Sequence, residues 1–169
     1  MGKTAIVAAG ADPYAHLAAY VLCWTLPTRL GSSIDHLAEG FAKTRWTASK
    51  KAKYFKCTAS DALTLFPIIA AYVHSVFHRA DIAKLACECY LALCDVLDLL
   101  VAVPHGVVHP DVLRDAVQTN LEALVAADWR NNVHPKFHWM IHFARELAHL
   151  GILLSCWVLF QFSSLCCQI

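Results

Sequence analysis

The stretch RADIAKLACECYLALCDVLDLLVAV, residues Arg79–Val103, decides the fold class of this chain. It contains neither proline nor glycine, and its apolar residues recur at steps of three and four. Such spacing places side chains on one face of an α-helix. The sequence therefore predicts a helix over about residues 81–103, with a buried face formed by Leu85, Leu93, Val96, Leu97, Leu100 and Val103.

The flanking segments also predict helices. Thr58 precedes Asp61 by three residues, which is the spacing of a capping box at a helix N-terminus. Pro67 should kink or split the helix that follows. Pro110 and Pro135 occupy favoured first positions of two later helices. The apolar side expected for the helix starting at Pro110 is formed by Val112, Ala116, Leu121, Leu124 and Val125.

The fold class predicted from these patterns is all-α, an irregular bundle of about five or six helices. No alternating strand pattern of useful length and no glycine-rich phosphate loop is present in the sequence. Three segments are expected. Residues 1–42 form a poorly defined N-terminal helical segment, residues 43–56 a basic linker, and residues 57–169 a helical domain with an apolar C-terminal tail.

The composition is unusually apolar. Of the 169 residues, 58% are hydrophobic and 16% charged, whereas an average soluble domain carries about 25% charge. The apolar content indicates that much of the chain is buried, in its own core or against another protein through exposed apolar faces, or that a segment meets lipid. A net charge of +1 argues against attraction of the whole chain to nucleic acid. The eight cysteines fall mostly among aliphatic residues, which favours reduced thiols and an intracellular location, nuclear or cytoplasmic.

The predicted linker is the most basic part of the sequence. It carries six of the fourteen cations and no acid, with three aromatic residues interleaved. Cations next to aromatic rings suit contacts with phosphates and bases, although a solvated linker has the same composition. The candidate nucleic-acid contacts are Lys43, Arg45, Lys50, Lys51, Lys53 and Lys56.

Histidines are concentrated in the stretch HPKFHWMIHFARELAHL, residues 134–150. At 100° per residue its polar side chains share one 120° arc, formed by His134, His138, His142, Arg145, Glu146 and His149. Histidines four apart can bind one zinc ion, but the chain has only four glutamates and no second Glu-x-x-His motif to complete a carboxylate-bridged site. We interpret the arc as a solvated or partner-facing polar stripe, and the sequence indicates no metal, no cofactor and no catalytic residue.

The C-terminal tail, LGILLSCWVLFQFSSLCCQI, holds no charged residue from Leu150 to Ile169. Twenty residues are just long enough to cross a bilayer as a helix, although serines and glutamines make the segment a marginal one. A tail-anchored membrane protein is therefore the alternative to a final helix packed on the bundle.

Two blocks together carry a family resemblance. KAKYFKCTASDALTLFPIIAAYV and, some sixty residues later, HPKFHWMIHFARELAHLGILLSCWVLF resemble transposon-derived reading frames, and specifically the helical region that follows the transposase core of CACTA (En/Spm-like) elements. The resemblance runs from about Lys50 to Val158, and within it Lys53–Pro67 and His134–Trp157 correspond to the family's first and last segments.

Three departures from the family pattern imply a non-catalytic protein. The acidic residues of an RNase H-like core have no recognisable motif here, residues 1–40 have no counterpart in the family, and VLFQFSSLCCQI stands where a basic continuation is expected. The leading hypothesis is thus a fragment or degenerate copy of a transposase-like protein, with an ancestral role in supporting a DNA-processing complex. A metal enzyme using the histidines is a third, weaker hypothesis.

Overall fold

A computed structural model describes residues 13–27, 33–45, 47, 57–128 and 135–150. No strand occurs in these ranges, and the predicted all-α bundle class is confirmed. The helices are α1 (Pro13–Leu22), α2 (Ile34–Glu39), α3 (Ala59–Tyr72), α4 (Lys84–Ala102), α5 (Pro110–Ala126) and α6 (Pro135–Leu150), with a π-helical segment at Val73–His78 and a 3-10 turn at Val103–His105. The chain divides into two compact units, and the division falls after Ala83.

The first unit packs α1 against both α2 and α3. The α3 helix begins as the sequence predicts, because the Thr58 side chain accepts a hydrogen bond from the Asp61 amide. Ser33 caps α2 in the same way and accepts from the His36 amide. The helix α3 continues through the exposed Pro67 without interruption. The core consists of Val21, Leu37, Ala38, Phe41, Leu65 and Ile68.

The second unit packs α5 against both α4 and α6. The α4 helix begins three residues later than predicted, and its buried face includes most of the expected apolar residues. One polar side chain enters this core: Asn120 of α5 is 1% exposed and donates a hydrogen bond of 3.2 Å from Nδ2 to the Cys89 carbonyl. Within the described part of the chain, its Oδ1 atom has no hydrogen-bond partner.

Some predicted core residues are exposed. Leu85 is 51% exposed, because it lies in the first turn of α4, near one edge of the apolar arc. On α5, Val112 and Val125 are 51% and 47% exposed. The apolar residues predicted there span about 220° of the helix at 100° per residue, which is wider than the face that packing covers. The residues actually buried are Leu113, Val117, Asn120 and Leu124.

Candidate functional site

The basic stretch, which is the predicted linker of residues 43–56, begins in the described part of the first unit. Lys43 and Arg45 are both exposed, in a short helical stretch over residues 43–45. The remaining four predicted nucleic-acid contacts, at positions 50, 51, 53 and 56, lie outside the described residues. The two cations that are described are therefore accessible to a phosphate backbone.

The histidine stripe is described for its second half. Arg145 and His149 are exposed on α6, while Glu146 and His142 are partly buried. The opposite side of α6 packs into the second unit through Met140, Phe143, Ala144 and Leu147. His134 lies outside the described residues, as does the side chain of His138. Within the described ranges, no three His, Cys, Asp or Glu side chains lie close enough together to hold a metal ion.

An open groove of about 460 Å³ lies between α1 and α2. Ala15 and Ala18 of α1 and Ala38 of α2 are among the residues that line it. Leu22, which is 49% exposed, and the buried Phe41 make the floor apolar.

The rim of this groove is charged. Asp35 and Glu39 lie four residues apart on α2, and Lys43, beyond the end of that helix, also lines the groove. Lys43 is also the first cation of the basic stretch. The arrangement suits an apolar ligand surface that carries a positive charge where it meets the carboxylates.

A second feature of the first unit is a cluster of aromatic and histidine side chains at the end of α3. The Tyr72 ring is 2% exposed, and its hydroxyl is hydrogen-bonded to His16 Nδ1 at 2.7 Å. The rings of Tyr20 and Phe77 lie 4.9 and 5.5 Å from the Tyr72 ring, centroid to centroid. Burial raises the pKa of the Tyr72 phenol. The cluster ties α1 to the point where α3 becomes π-helical.

The π-helical segment presents two histidines. His74 and His78 lie four residues apart with nearly parallel rings, 5.7 Å between centroids and 13° between planes. The His74 carbonyl accepts a hydrogen bond of 3.3 Å from the Arg79 amide, which is the i to i+5 bond of a π-helix. Segments of this kind are rare and recur at functional sites. Our reading of the sequence missed this pair, although the four-residue spacing in VHSVFH is the signal that could have shown it.

A turn with unusual backbone angles follows the histidine pair. Asp81 and Ala83 have φ values of 54° and 49°, in the left-handed region that side chains other than glycine rarely adopt. Two hydrogen bonds hold the turn: the Asp81 amide donates to the His78 carbonyl at 3.1 Å, and the Ile82 amide donates to the Phe77 carbonyl at 3.0 Å. The end of the π-helical segment is thus held by backbone contacts on its C-terminal side.

Burial raises the pKa of two cysteines and one aspartate of α4. Burial raises the pKa of Cys89 to about 11, and burial together with the nearby Glu88 raises that of Cys87. A thiol with a raised pKa carries little thiolate at neutral pH and is a poor nucleophile. Partial burial, followed by the charge of Asp95, raises the pKa of Asp98, but both carboxylates are exposed to solvent.

No family model, curated protein or solved structure matches this chain. The segment Ala59–His78 is long and apolar enough to cross a membrane by length and composition, and in the described part of the chain it is the one helix that is. The same segment supplies Leu65 and Ile68 to the core of the first unit. The predicted anchor beyond Leu150 lies outside the described residues.

Proposed function

We propose that this chain is a non-catalytic helical scaffold derived from a transposase-like protein, with an ancestral role in supporting a DNA-processing complex. The proposal combines the family resemblance of the two sequence blocks with the groove of the first unit. The groove is the observation that carries the binding role, because it offers an apolar floor and a charged rim to a partner protein.

The chemistry of the groove indicates its occupant. An amphipathic helix of a partner would place apolar side chains against Leu22 and Phe41. A lysine or arginine on the same helix would meet the carboxylates of Asp35 and Glu39, and their negative charges favour a cation. The expected partner is therefore a helix with one apolar face and a basic edge.

The genomic neighbourhood supplies the partner for a test. A recognisable transposase reading frame should lie just upstream of this coding sequence, and the protein it encodes should bind this chain in a titration of the two purified proteins. Substituting Ala15→Arg fills the groove with a long cation and should weaken binding about tenfold or more, because it removes apolar contact and adds a clash. Ala19→Arg is the matched control, since Ala19 is exposed on α1 and does not line the groove.

Two results would count against the scaffold proposal. One is intact, unrelated coding sequence upstream of this gene. The other is equal binding by the Ala15→Arg and Ala19→Arg variants, which would place the partner elsewhere on the chain.

A second candidate function, contact with nucleic acid, is favoured by the exposure of Lys43 and Arg45. Each phosphate neutralised on duplex DNA contributes about −0.9 to the slope of log K against log salt concentration. Replacing both residues by alanine should therefore make that slope shallower by about 1.8 in a fluorescence anisotropy titration, if each contacts one phosphate. Arg114→Ala is the control, because the Arg114 guanidinium is already paired with Asp111 at 2.8 Å. An unchanged slope in the double variant excludes these two contacts.

The membrane alternative rests on the uncharged tail from Leu150 to Ile169. Carbonate extraction of membranes from cells expressing the full chain tests it directly. An inserted anchor leaves the protein in the membrane pellet, whereas a packed or peripheral tail releases it into the supernatant.

A further inference from the structure

The histidine pair of the π-helical segment has a property that the scaffold role does not use. His74 is exposed and His78 partly exposed, so both imidazoles can turn about their side-chain bonds without disturbing the core. Their rings already lie side by side, 5.7 Å apart and within 13° of parallel. Two ring nitrogens on one face of a helix can therefore converge on a single point above it.

The backbone beneath the pair is held in place from both sides. On the N-terminal side, the buried Tyr72 is fixed by its 2.7 Å hydrogen bond to His16. On the C-terminal side, the Arg79 amide bonds to the His74 carbonyl and the Ile82 amide to the Phe77 carbonyl. An anchored backbone reduces the entropy that is lost when two side chains bind one ligand. The π-helical turn thus presents a preorganised base for mobile imidazole arms.

We propose that His74 and His78 form a two-histidine binding site for a divalent transition-metal ion of the Cu²⁺, Ni²⁺ and Zn²⁺ class. Neutral imidazole nitrogen is a good ligand for these ions, whereas Mg²⁺ and Ca²⁺ prefer oxygen ligands. Binding exchanges two metal-bound waters for two histidine nitrogens at about 2.0–2.1 Å. The step involves no change of oxidation state, and water fills the remaining coordination positions.

Two ligands define the strength and the chemistry of this site. The second nitrogen binds as an intramolecular event, so the pair should bind far more tightly than either histidine alone. A metal held by two protein ligands also keeps several exchangeable positions. The site is therefore suited to taking up and passing on a metal ion, or to bridging to a histidine or carboxylate of another molecule. It is independent of the groove and of the proposed scaffold role.

The test uses the full chain with Ni²⁺ as the probe and Mg²⁺ as the hard-cation control. Histidine modification by diethyl pyrocarbonate is mapped by mass spectrometry with and without metal. Ni²⁺ should protect His74 and His78, and Mg²⁺ should protect neither. His105 and His109 provide an internal comparison, since they are also four residues apart and exposed but lie in a 3-10 turn and a loop.

Single substitutions complete the experiment. His74→Ala should weaken Ni²⁺ protection of His78, and His78→Ala that of His74, so that roughly tenfold more Ni²⁺ is needed for equal protection in each case. Circular dichroism shows whether each variant is folded, and the His105→Ala variant should keep the full protection of the pair. Equal protection of His78 in the wild-type chain and the His74→Ala variant would overturn the proposal, as would protection that is no greater at His74 and His78 than at His105 and His109.

Discussion

The stability of the second unit should fall at alkaline pH because of one buried thiol. Cys89 is 2% exposed, and burial raises its pKa from an ordinary value near 9 to about 11. The unfolded chain therefore loses the thiol proton at lower pH than the folded chain does. The protonated Cys89 thiol therefore makes its full contribution to the free energy of unfolding below pH 9, and this contribution is lost as the pH rises through 11.

The size of the loss in unfolding free energy follows from the shift in the Cys89 pKa. A change of about two pKa units corresponds to about 2.7 kcal/mol of differential stability when fully expressed. Because a protein interior relaxes and admits water around a new charge, we expect roughly half of that amount. Between about pH 8 and pH 10.5, the Cys89 thiol should thus cost the folded state about 1 kcal/mol.

The assay compares free energies of unfolding by urea, under reducing conditions, for the wild-type chain, Cys89→Ala and Cys23→Ala. Cys89→Ala should be less stable near neutral pH, because it leaves a small cavity, but its stability should fall by about 1 kcal/mol less over the alkaline range. Cys23 is exposed, so its removal should leave the pH dependence as in the wild type. Parallel pH profiles for Cys89→Ala and the wild type would refute the argument.

Four further substitutions, at three positions, test the internal contacts. Replacing Asn120 by leucine removes a buried amide whose Oδ1 has no partner among the described residues. This variant should change the unfolding free energy by less than about 1 kcal/mol or raise it, whereas Asn120→Asp should lower it by several kcal/mol near neutral pH. Thr58→Ala removes the hydroxyl that caps α3 and bonds to Asp61 at 2.8 and 3.1 Å, and should cost about 1 kcal/mol in urea unfolding. Tyr72→Phe keeps the buried ring but loses the hydrogen bond to His16, with an expected loss of about 1 kcal/mol in the same assay. A cost above about 3 kcal/mol for Tyr72→Phe, or none for Thr58→Ala, would contradict these assignments.

The positions of the helices could be read from local chemistry. Thr58, Pro110 and Pro135 mark helix starts because capping and proline geometry depend on a few neighbouring residues. The effect of Pro67 could not be read in the same way. A proline removes one backbone hydrogen bond, but whether the helix then breaks is not decided by the proline alone, and here α3 continues through it.

The candidate sites were harder to predict than the helices. The His134–His149 stretch holds the most histidines, yet the histidine pair that the described residues show in ring contact is His74 and His78. The signal for that pair was one spacing in a short motif. What distinguishes it is the π-helical backbone and the anchoring of Tyr72 by His16, which is fifty-six residues away in the sequence.

The sequence by itself determined that this protein is all-α and where its main helices begin, because helical periodicity and capping are properties of neighbouring residues. Only the tertiary structure decided which part of each apolar face is buried. In so apolar a chain the pattern on α5 is wider than any neighbouring helix can cover, so Val112 and Val125 remain exposed while the polar Asn120 enters the core. Long-range contacts alone also decided that α1 and α2 enclose a groove, and that Tyr72 is anchored by His16 beneath the paired histidines.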